Sequence, residues 1–151
     1  MNQMTLKTLG IESLQQIITF DKLCFPGDFW KEDDWVDLLG DDRAVYYALL
    51  ENGEIIADVF VYNWCEEKDY IKIMNIAVHP LYRNQGLAKR LLNHVTETFA
   101  KSGMKRFCGE TRASNSGMRK VFENCGYQLR AIEENYYDIP KESALKYVLQ
   151  L

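Results

Sequence analysis

The sequence predicts a fold of the α/β (α+β) class, with a mixed, mostly antiparallel central sheet flanked by helices. Two observations lead to this class. Residues 44–78 hold three strand-like segments, which is typical of an antiparallel meander. After residue 86 the apolar residues change to helical spacing, and strands and helices then alternate as in an α/β layer. The 151 residues contain no linker or internal repeat, so we expect a single domain over residues 1–151.

The N-terminal segment is predicted to form one strand and two helices. Residues 5–9 are strand-like, and the apolar residues that follow have helical spacing: Leu14, Ile17 and Ile18. Pro26 disfavours helical geometry in the residue before it, so this helix is expected to end near Cys24. A second short helix is predicted over residues 31–39, closing at Gly40.

The middle of the chain predicts three consecutive strands. Residues 44–51 and 54–63 are rich in Tyr, Val and Ile, and Asn52-Gly53 separates them. Asn-Gly supplies the positive φ angles of a type I′ turn, so it predicts a two-residue hairpin. Residues 70–78 continue as a third apolar strand.

The C-terminal half alternates between helix and strand patterns. A long amphipathic helix with Gly103 as its stop signal is predicted from six residues: Leu87, Ala88, Leu91, Leu92, Val95 and Phe99. A strand over residues 105–111 follows. A second helix ending at Gly126 is predicted from spacing at i, i+3, i+4 and i+7: Met118, Val121, Phe122 and Cys125. Residues 127–132 and 144–149 are predicted as closing strands.

Composition excludes several classes of protein. Aromatic residues make up 13% of the chain, which excludes intrinsic disorder. No apolar run approaches the roughly 18 residues that span a bilayer, and the N-terminus lacks a signal-peptide pattern. We therefore expect a cytoplasmic protein that does not bind membranes. The cysteines are widely spaced and predict reduced thiols with no metal site: Cys24, Cys65, Cys108 and Cys125.

Charge is divided unequally between the two halves. Residues 1–75 carry 15 acidic and 6 basic residues, a net charge of −9, whereas residues 76–151 carry 7 acidic and 12 basic residues, a net charge of +5. This split argues against a uniformly basic nucleic-acid-binding protein. It suits an anionic ligand on the C-terminal half and a cationic ligand on the N-terminal half, although chance placement of surface charge is an open alternative.

Residues 75–88, with the sequence NIAVHPLYRNQGLA, are the most informative segment. An apolar strand enters a short loop, and Gly86 opens the long helix. Free backbone N–H groups and the helix dipole at a helix N-terminus attract an anion. Gly86 and Ala88 are small enough to let a phosphate chain approach, and Arg83 adds positive charge. Neither nucleotide-binding fingerprint occurs here, so the loop is a candidate pyrophosphate site or an ordinary surface loop.

These residues resemble a known family. Residues 83–88, RNQGLA, are similar to the Arg/Gln-x-x-Gly-x-Gly/Ala loop of the GNAT superfamily of acyl-CoA N-acyltransferases, and residues 75–78 are similar to its fourth strand. Residues 109–115 (GETRASN), 126–127 (GY) and 134–137 (ENYY) resemble the branch of ribosomal-protein alanine N-acetyltransferases. The close resemblance covers residues 73–137, whereas residues 1–70 agree with the family only in the order of their elements.

The resemblance implies that acetyl-CoA is the co-substrate, with its pyrophosphate on residues 83–88 and its pantetheine arm along the fourth strand. The residues implied to bind it are Ile76, Ala77, Val78, Arg83, Asn84, Gln85, Gly86, Leu87, Ala88 and Asn115. The basic half of the chain would hold the CoA anion. The acidic half would attract an amine through residues such as Asp28, Glu32, Asp33, Asp34, Asp37, Asp41 and Asp42.

The resemblance also implies catalytic and acceptor-binding residues. Glu110 matches the family's general base, which removes the proton that the amine must lose before attack; a surface carboxylate at a strand end is the alternative. Phe25 and Trp30 lie between the first two predicted helices, where the family frames its acceptor, or else they belong to the core. Tyr136 and Tyr137 are further candidates for contact with the substrate.

One residue departs from the pattern of the branch. Phe122 stands where the branch has the tyrosine that protonates the departing CoA thiolate. A thiol pKa near 8.5 makes the thiolate a tolerable leaving group, so turnover does not require that tyrosine. Tyr136, Tyr137, Cys125 or solvent are the candidate substitutes.

The sequence therefore predicts an acetyl-CoA-dependent N-acetyltransferase that acts on a protein or peptide N-terminal amine by direct attack on the thioester. One alternative is an enzyme that acetylates a small amine, such as a polyamine or an amino acid. Another is a non-catalytic acyl-CoA-binding module, against which Glu110 argues.

Overall fold

A computed structural model describes residues 3–64, 70–138 and 140–151 of the chain. Its strands are β1 (Met4–Leu9), β2 (Ala44–Glu51), β3 (Glu54–Trp64), β4 (Tyr70–Val78), β5 (Arg106–Arg112), β6 (Gln128–Asp138) and β7 (Lys141–Gln150). Its helices are α1 (Leu14–Cys24), α2 (Glu32–Leu39), α3 (Leu87–Lys101) and α4 (Ser116–Asn124). The seven strands form one sheet in the order β1-β2-β3-β4-β5-β7-β6, in which only β4 and β5 pair in parallel. This architecture confirms the predicted fold class.

The two faces of the sheet have separate apolar cores. On one face, residues of α1 and α2 pack against β2 and β3 around the fully buried Trp35. On the other face, α3 and α4 pack through Leu91, Leu92, Val95 and Phe122. A sheet covered on both faces explains why β2 and β3 are apolar along most of their length, with little alternation.

Most predicted elements are confirmed to within two residues. In the hairpin between β2 and β3, Asn52 has φ 53° and Gly53 has φ 80°, as a type I′ turn requires. The strands predicted over residues 127–132 and 144–149 were too short: β6 extends to Asp138 and β7 begins at Lys141. β6 is an exposed edge strand with register shifts, so it lacks the apolar alternation that marks a strand in sequence.

Strands β4 and β5 diverge soon after they begin. Their parallel pairing covers three rungs, from Ile71 opposite Phe107 to Ile73 opposite Gly109. The pairing of β4 with β3 shifts at the next position, because Phe60 pairs with Asn75 and Val61 with Ile73, which leaves Met74 as an extra residue. A bulge of this kind bends its strand. The far half of β4 therefore turns away from β5, and a gap opens in the middle of the sheet.

A buried carboxyl lies in β3, directly beside the far half of β4. Asp58 is 1% exposed and pairs in register with Ala77. The Tyr46 hydroxyl donates a hydrogen bond to one of its carboxyl oxygens. Burial raises the pKa of Asp58 from 3.8 to about 7, because the charged form loses its hydration.

This pKa shift predicts a pH-dependent cost to stability. The folded-state pKa exceeds the unfolded value, so the contribution of Asp58 to stability is most favourable below pH 3.8 and falls as the pH rises towards about 7. Asp58→Asn keeps an acceptor for Tyr46 and removes the ionisation, at a gain on the order of a few kcal/mol above pH 7. We expect its melting temperature to exceed that of the parent protein at pH 8, with a much smaller difference at pH 4.

The exposed Asp42 provides the control. Asp42→Asn should leave the melting temperature nearly unchanged at both pH values. A gain for Asp58→Asn that is equal at pH 4 and pH 8 would contradict the assignment, because it would show that the effect does not arise from ionisation.

Candidate active site

The gap between β4 and β5 opens into two adjoining cavities, of about 600 Å³ and about 410 Å³. We call the larger one the donor cavity and the smaller one the acceptor cavity. Phe25, Ile76, Asn115 and Met118 line both of them. Ile76 is thus the residue of β4 at which the two cavities meet.

The donor cavity lies between the far half of β4 and the N-termini of α3 and α4. Beyond Ile73, no strand in the described part of the chain pairs with the edge of β4 that faces β5. Every residue predicted to bind the co-substrate lines this cavity except Gln85, which is exposed beside it. The predicted residues that line it are Ile76, Ala77, Val78, Arg83, Asn84, Gly86, Leu87, Ala88 and Asn115.

The loop before α3 forms an open cradle. Asn84 and Gly86 have left-handed φ angles of 63° and 74°, and a Cβ added at Gly86 would meet no atom within 4 Å. The backbone N–H groups of the first turn of α3 have no partner within the helix. Arg83 anchors the loop by donating from Nε to the Val78 carbonyl over 3.3 Å. This cradle, with Arg83 and Lys89 beside it, fits an anionic group such as a pyrophosphate.

Asn115 is the N-cap residue of α4, and its side chain hydrogen-bonds the first turn of that helix. Its Oδ1 accepts a hydrogen bond of 3.0 Å from the Met118 backbone N–H, which caps the helix. Its side-chain amide NH₂ is then the group that it can offer to a ligand in either cavity.

The acceptor cavity is walled by the segment between α1 and α2, by β4, by β5 and by β6. Three of the four residues predicted to contact the acceptor line it: Phe25, Trp30 and Tyr137. Trp30 also packs on Trp35 with ring centres 4.7 Å apart, so it belongs to the core as well. Tyr136 does not line the cavity, but burial and the nearby side chain of Glu110, which does line it, raise the pKa of Tyr136.

A buried carboxylate, that of Asp21, anchors the segment between α1 and α2 that lines the acceptor cavity. Asp21 of α1 accepts hydrogen bonds from the Trp30 backbone N–H (2.8 Å), the Trp35 indole N–H (3.3 Å) and the Asn75 amide (3.2 Å). Burial raises the pKa of Asp21, and these three donors oppose the shift. Asp21 therefore ties α1, the segment before α2 and β4 together at the floor of the cavity.

Arg112 bridges the two sides of the acceptor cavity. Its Nη2 lies 2.9 Å from Asp28 Oδ2, and its Nη1 donates to the Pro140 carbonyl (2.9 Å) and to Glu142 (3.4 Å). Its guanidinium lies 4.4 Å from the centre of the Tyr137 ring. Asp28 was expected to attract the amine, but its carboxylate is engaged by Arg112.

Glu110 lies at the first position of β5 beyond its pairing with β4. The Lys72 ammonium is 3.5 Å from its Oε1, and the two side chains are 31% and 20% exposed. Burial, together with the nearby Glu110 carboxylate, raises the pKa of Tyr137 to about 12. Tyr136 and Tyr137 are therefore protonated near neutral pH.

Phe122 is an apolar packing residue, as its place on the predicted helix face indicated. It is 1% exposed and stacks on Tyr147 with ring centres 5.0 Å apart. A Cβ added to Gly109 would overlap the Phe122 ring, so the close packing of this ring on β5 requires glycine at position 109. The ring nevertheless contributes to the lining of the acceptor cavity.

Several residues of the site were not found by sequence reasoning. Lys72 carries no motif, Asn75 and Met118 belong to patterns that predicted a strand and a helix and no ligand contact, and Asp21 sits among ordinary helical residues. Part of the acidic segment is structural: Glu32, Asp33 and Asp34 lie in the first turn of α2, where negative charge complements the helix dipole. Cys24 lines the donor cavity, where burial raises the pKa of its thiol to about 12.

The fold and the two joined cavities are those of an acyl-CoA-dependent N-acyltransferase. The model of the acetyltransferase (GNAT) family matches residues 12–127, and the chain belongs to this family. It is therefore an N-acetyltransferase, with acetyl-CoA as co-substrate. No helix of the described residues is long and apolar enough to cross a membrane.

Similar proteins and structures agree with this membership. The [ribosomal protein bS18]-alanine N-acetyltransferase of Escherichia coli (strain K12) is 32% identical over 108 residues, which cover 72% of this chain and 70% of the relative. The crystal structure of the Escherichia coli ribosomal-protein-S18-alanine N-acetyltransferase matches with a TM-score of 0.88 at 25% identity, covering 98% and 94% of the two chains. Arabidopsis thaliana NAA60 in complex with acetyl-CoA matches in fold, with a TM-score of 0.86 at 13% identity over 99% and 100% of the chains.

The open cradle predicts the effect of a bulky side chain at its centre. Gly86→Trp should lower the affinity for acetyl-CoA about 10-fold or more, because the indole would occupy the space above the N-terminus of α3. Isothermal titration calorimetry measures the dissociation constant.

Gly103→Trp is the matched control. Gly103 lies just beyond the other end of α3, has φ 98° and also has open space around its Cβ position, so the backbone strain of the two substitutions is similar. An equal loss of affinity in the two variants, or unchanged affinity in a folded Gly86→Trp protein, would show that the cradle does not bind the co-substrate.

Proposed function

We propose that residues 1–151 act as one cytoplasmic domain that transfers the acetyl group of acetyl-CoA to the N-terminal amine of a protein or peptide. The observation that carries this proposal is the junction of the two cavities. The cradle of residues 83–88 lies on one side of Ile76 and the Glu110 carboxylate on the other, which supports an anionic donor meeting an amine at this point.

The donor cavity suits the co-substrate in charge and in shape. The cradle of residues 83–88 would take the pyrophosphate. The far half of β4, with one edge unpaired, offers the backbone of Ile76, Ala77 and Val78 to the amide groups of the pantetheine arm. Acetyl-CoA supplies an acetyl group activated as a thioester. Backbone N–H groups of β4 near the junction would polarise its carbonyl oxygen.

Glu110 is the proposed general base. Its carboxylate opens onto the acceptor cavity, next to the junction where an amine would meet the thioester. It takes the proton that the amine must lose, directly or through a water molecule. An α-amino group, with a pKa near 7.7–8.0, needs less help than a lysine side chain near 10.4, which favours an N-terminal acceptor.

The charges around the acceptor cavity favour a peptide over a free amino acid or a polyamine. Arg112 is the cation among the described lining residues, and it is engaged by Asp28 and Glu142, so a free α-carboxylate would find no available positive partner. The carboxylates of Asp21 and Asp28 are likewise engaged, which leaves little for the second ammonium group of a polyamine. The Escherichia coli relative is, by its name, an alanine N-acetyltransferase of ribosomal protein bS18, which supports a protein acceptor.

An acetylation screen tests the acceptor class. We expect acetyl transfer to alanine-initiated hexapeptides, followed by mass spectrometry, to exceed transfer to spermidine or free alanine by at least about 10-fold in kcat/KM. The same peptides with a blocked N-terminus are the control. Preferential transfer to spermidine or free alanine would replace the proposal with a small-amine acetyltransferase.

Replacement of Glu110 tests the base. Glu110→Gln should lower kcat about 10²–10⁴-fold, since it keeps the shape of the side chain and removes its basicity, while the dissociation constant of acetyl-CoA stays unchanged. Glu123→Gln, an exposed position on α4, should have wild-type kcat. If Glu110→Gln retains wild-type kcat when chemistry limits the rate, another group is the base.

Phe122→Tyr tests whether the site lacks a proton donor. The ring lines the acceptor cavity but is 1% exposed, and its Cζ lies against Gly109, so a hydroxyl that found no partner there would cost roughly 1–3 kcal/mol of stability. We expect a folded variant whose single-turnover acetyl transfer is equal or faster, and its melting temperature measures the packing cost. A folded variant that is clearly slower would show that Phe122 does not mark a missing donor.

A further inference from the structure

The ion pair between Lys72 and Glu110 crosses the point at which the sheet divides. Lys72 lies on the second of the three rungs that join β4 to β5, opposite Cys108. Glu110 lies one residue beyond the last rung and points to the same face as Cys108, because side chains alternate along a strand. Across the gap, the Nζ–Oε1 contact of 3.5 Å therefore links the paired part of β4 to the first residue of β5 that no longer pairs with β4.

The other charged groups around Glu110 are engaged elsewhere. Lys146 of β7 is its register partner, but the Lys146 ammonium pairs with Glu133 (3.7 Å) and lies 5.7 Å from the centre of the Tyr136 ring. Arg112, two residues along β5, is engaged by Asp28 and Glu142. Among the described residues, Lys72 is thus the cation in ion-pair contact with Glu110.

The carboxylate of Glu110 therefore has a neighbour on each side. Lys72 contacts Oε1 from the β4 side, and Tyr136 of β6 lies near enough for the Glu110 carboxylate to raise its pKa. A glutamate side chain has three rotatable bonds and would otherwise sample several rotamers over the open gap. Contacts from both sides restrict it to positions beside the acceptor cavity.

We propose that Lys72 is a positioning residue, which holds the carboxylate of Glu110 over the acceptor cavity so that one oxygen faces the incoming amine. This inference rests on the proposed role of Glu110 as the base. It concerns the orientation of Glu110, and it assigns to Lys72 no contact with acetyl-CoA or with the acceptor.

Two substitutions of Lys72 separate its charge from its bulk. Lys72→Met keeps the aliphatic stem and should lower kcat for an alanine-initiated hexapeptide about 3- to 10-fold, because a base that is less well oriented reacts less often. The dissociation constant of acetyl-CoA and the melting temperature should stay unchanged. Lys72→Arg should restore most of the lost kcat. Lys146→Met removes a nearby cation that does not contact Glu110, and it should leave kcat within about twofold of wild type.

The decisive measurement is the same substitution in the Glu110→Gln background. If Lys72 acts through Glu110, Lys72→Met should have no further effect on kcat there. A loss of kcat that persists in the Gln background, or equal losses for Lys72→Met and Lys146→Met, would overturn the inference. A Glu110→Gln enzyme with full kcat would instead remove the base assignment itself, so the two failures are distinguishable.

Discussion

The divergence of β4 and β5 is the feature on which the rest of the site depends. Three rungs of parallel pairing hold the strands together as far as Ile73 and Gly109, and the bulge at Met74 then bends β4 away. A continuous sheet would have used the backbone groups of residues 74–78 for pairing with β5. Because the strands separate, those groups face a cavity, and the opening in the sheet joins the donor cavity to the acceptor cavity.

The opening is held by polar contacts between segments that are distant in sequence. Asp21 ties α1 to Trp30 and to Asn75 on β4, and Arg112 ties β5 to Asp28 and to the β6–β7 hairpin. A gap in a sheet leaves backbone N–H and C=O groups without strand pairing, so other hydrogen bonds and ion pairs must hold the surrounding segments in place. These contacts also neutralise the charges that line the acceptor cavity.

The acidic residues of the N-terminal half have several different structural surroundings. Asp58 is buried in β3 beside β4, Asp21 lines the acceptor cavity, and Asp41 accepts hydrogen bonds from the Arg43 backbone and the Tyr62 hydroxyl. The charge asymmetry of the sequence is real, but these three carboxyl groups interact with other parts of the protein. The basic side of the same asymmetry has a clearer functional counterpart, since Arg83 and Lys89 flank the cradle at the start of α3.

The sequence by itself determined the elements whose signals are local. The Asn52-Gly53 turn, the helical spacing from Leu87 onwards and the loop of residues 83–88 each depend on neighbours within a few residues, and each was predicted closely. The tertiary structure alone decided which distant residues meet. Lys72 contacts Glu110 because the register of β4 and β5 brings together two residues that are 38 positions apart. Arg112 pairs with Asp28, 84 positions away, because the segment before α2 lies beside the end of β5. No periodicity within the sequence encodes such pairings, and the same holds for the full extent of β6, whose polar residues form a strand only because β7 pairs with them.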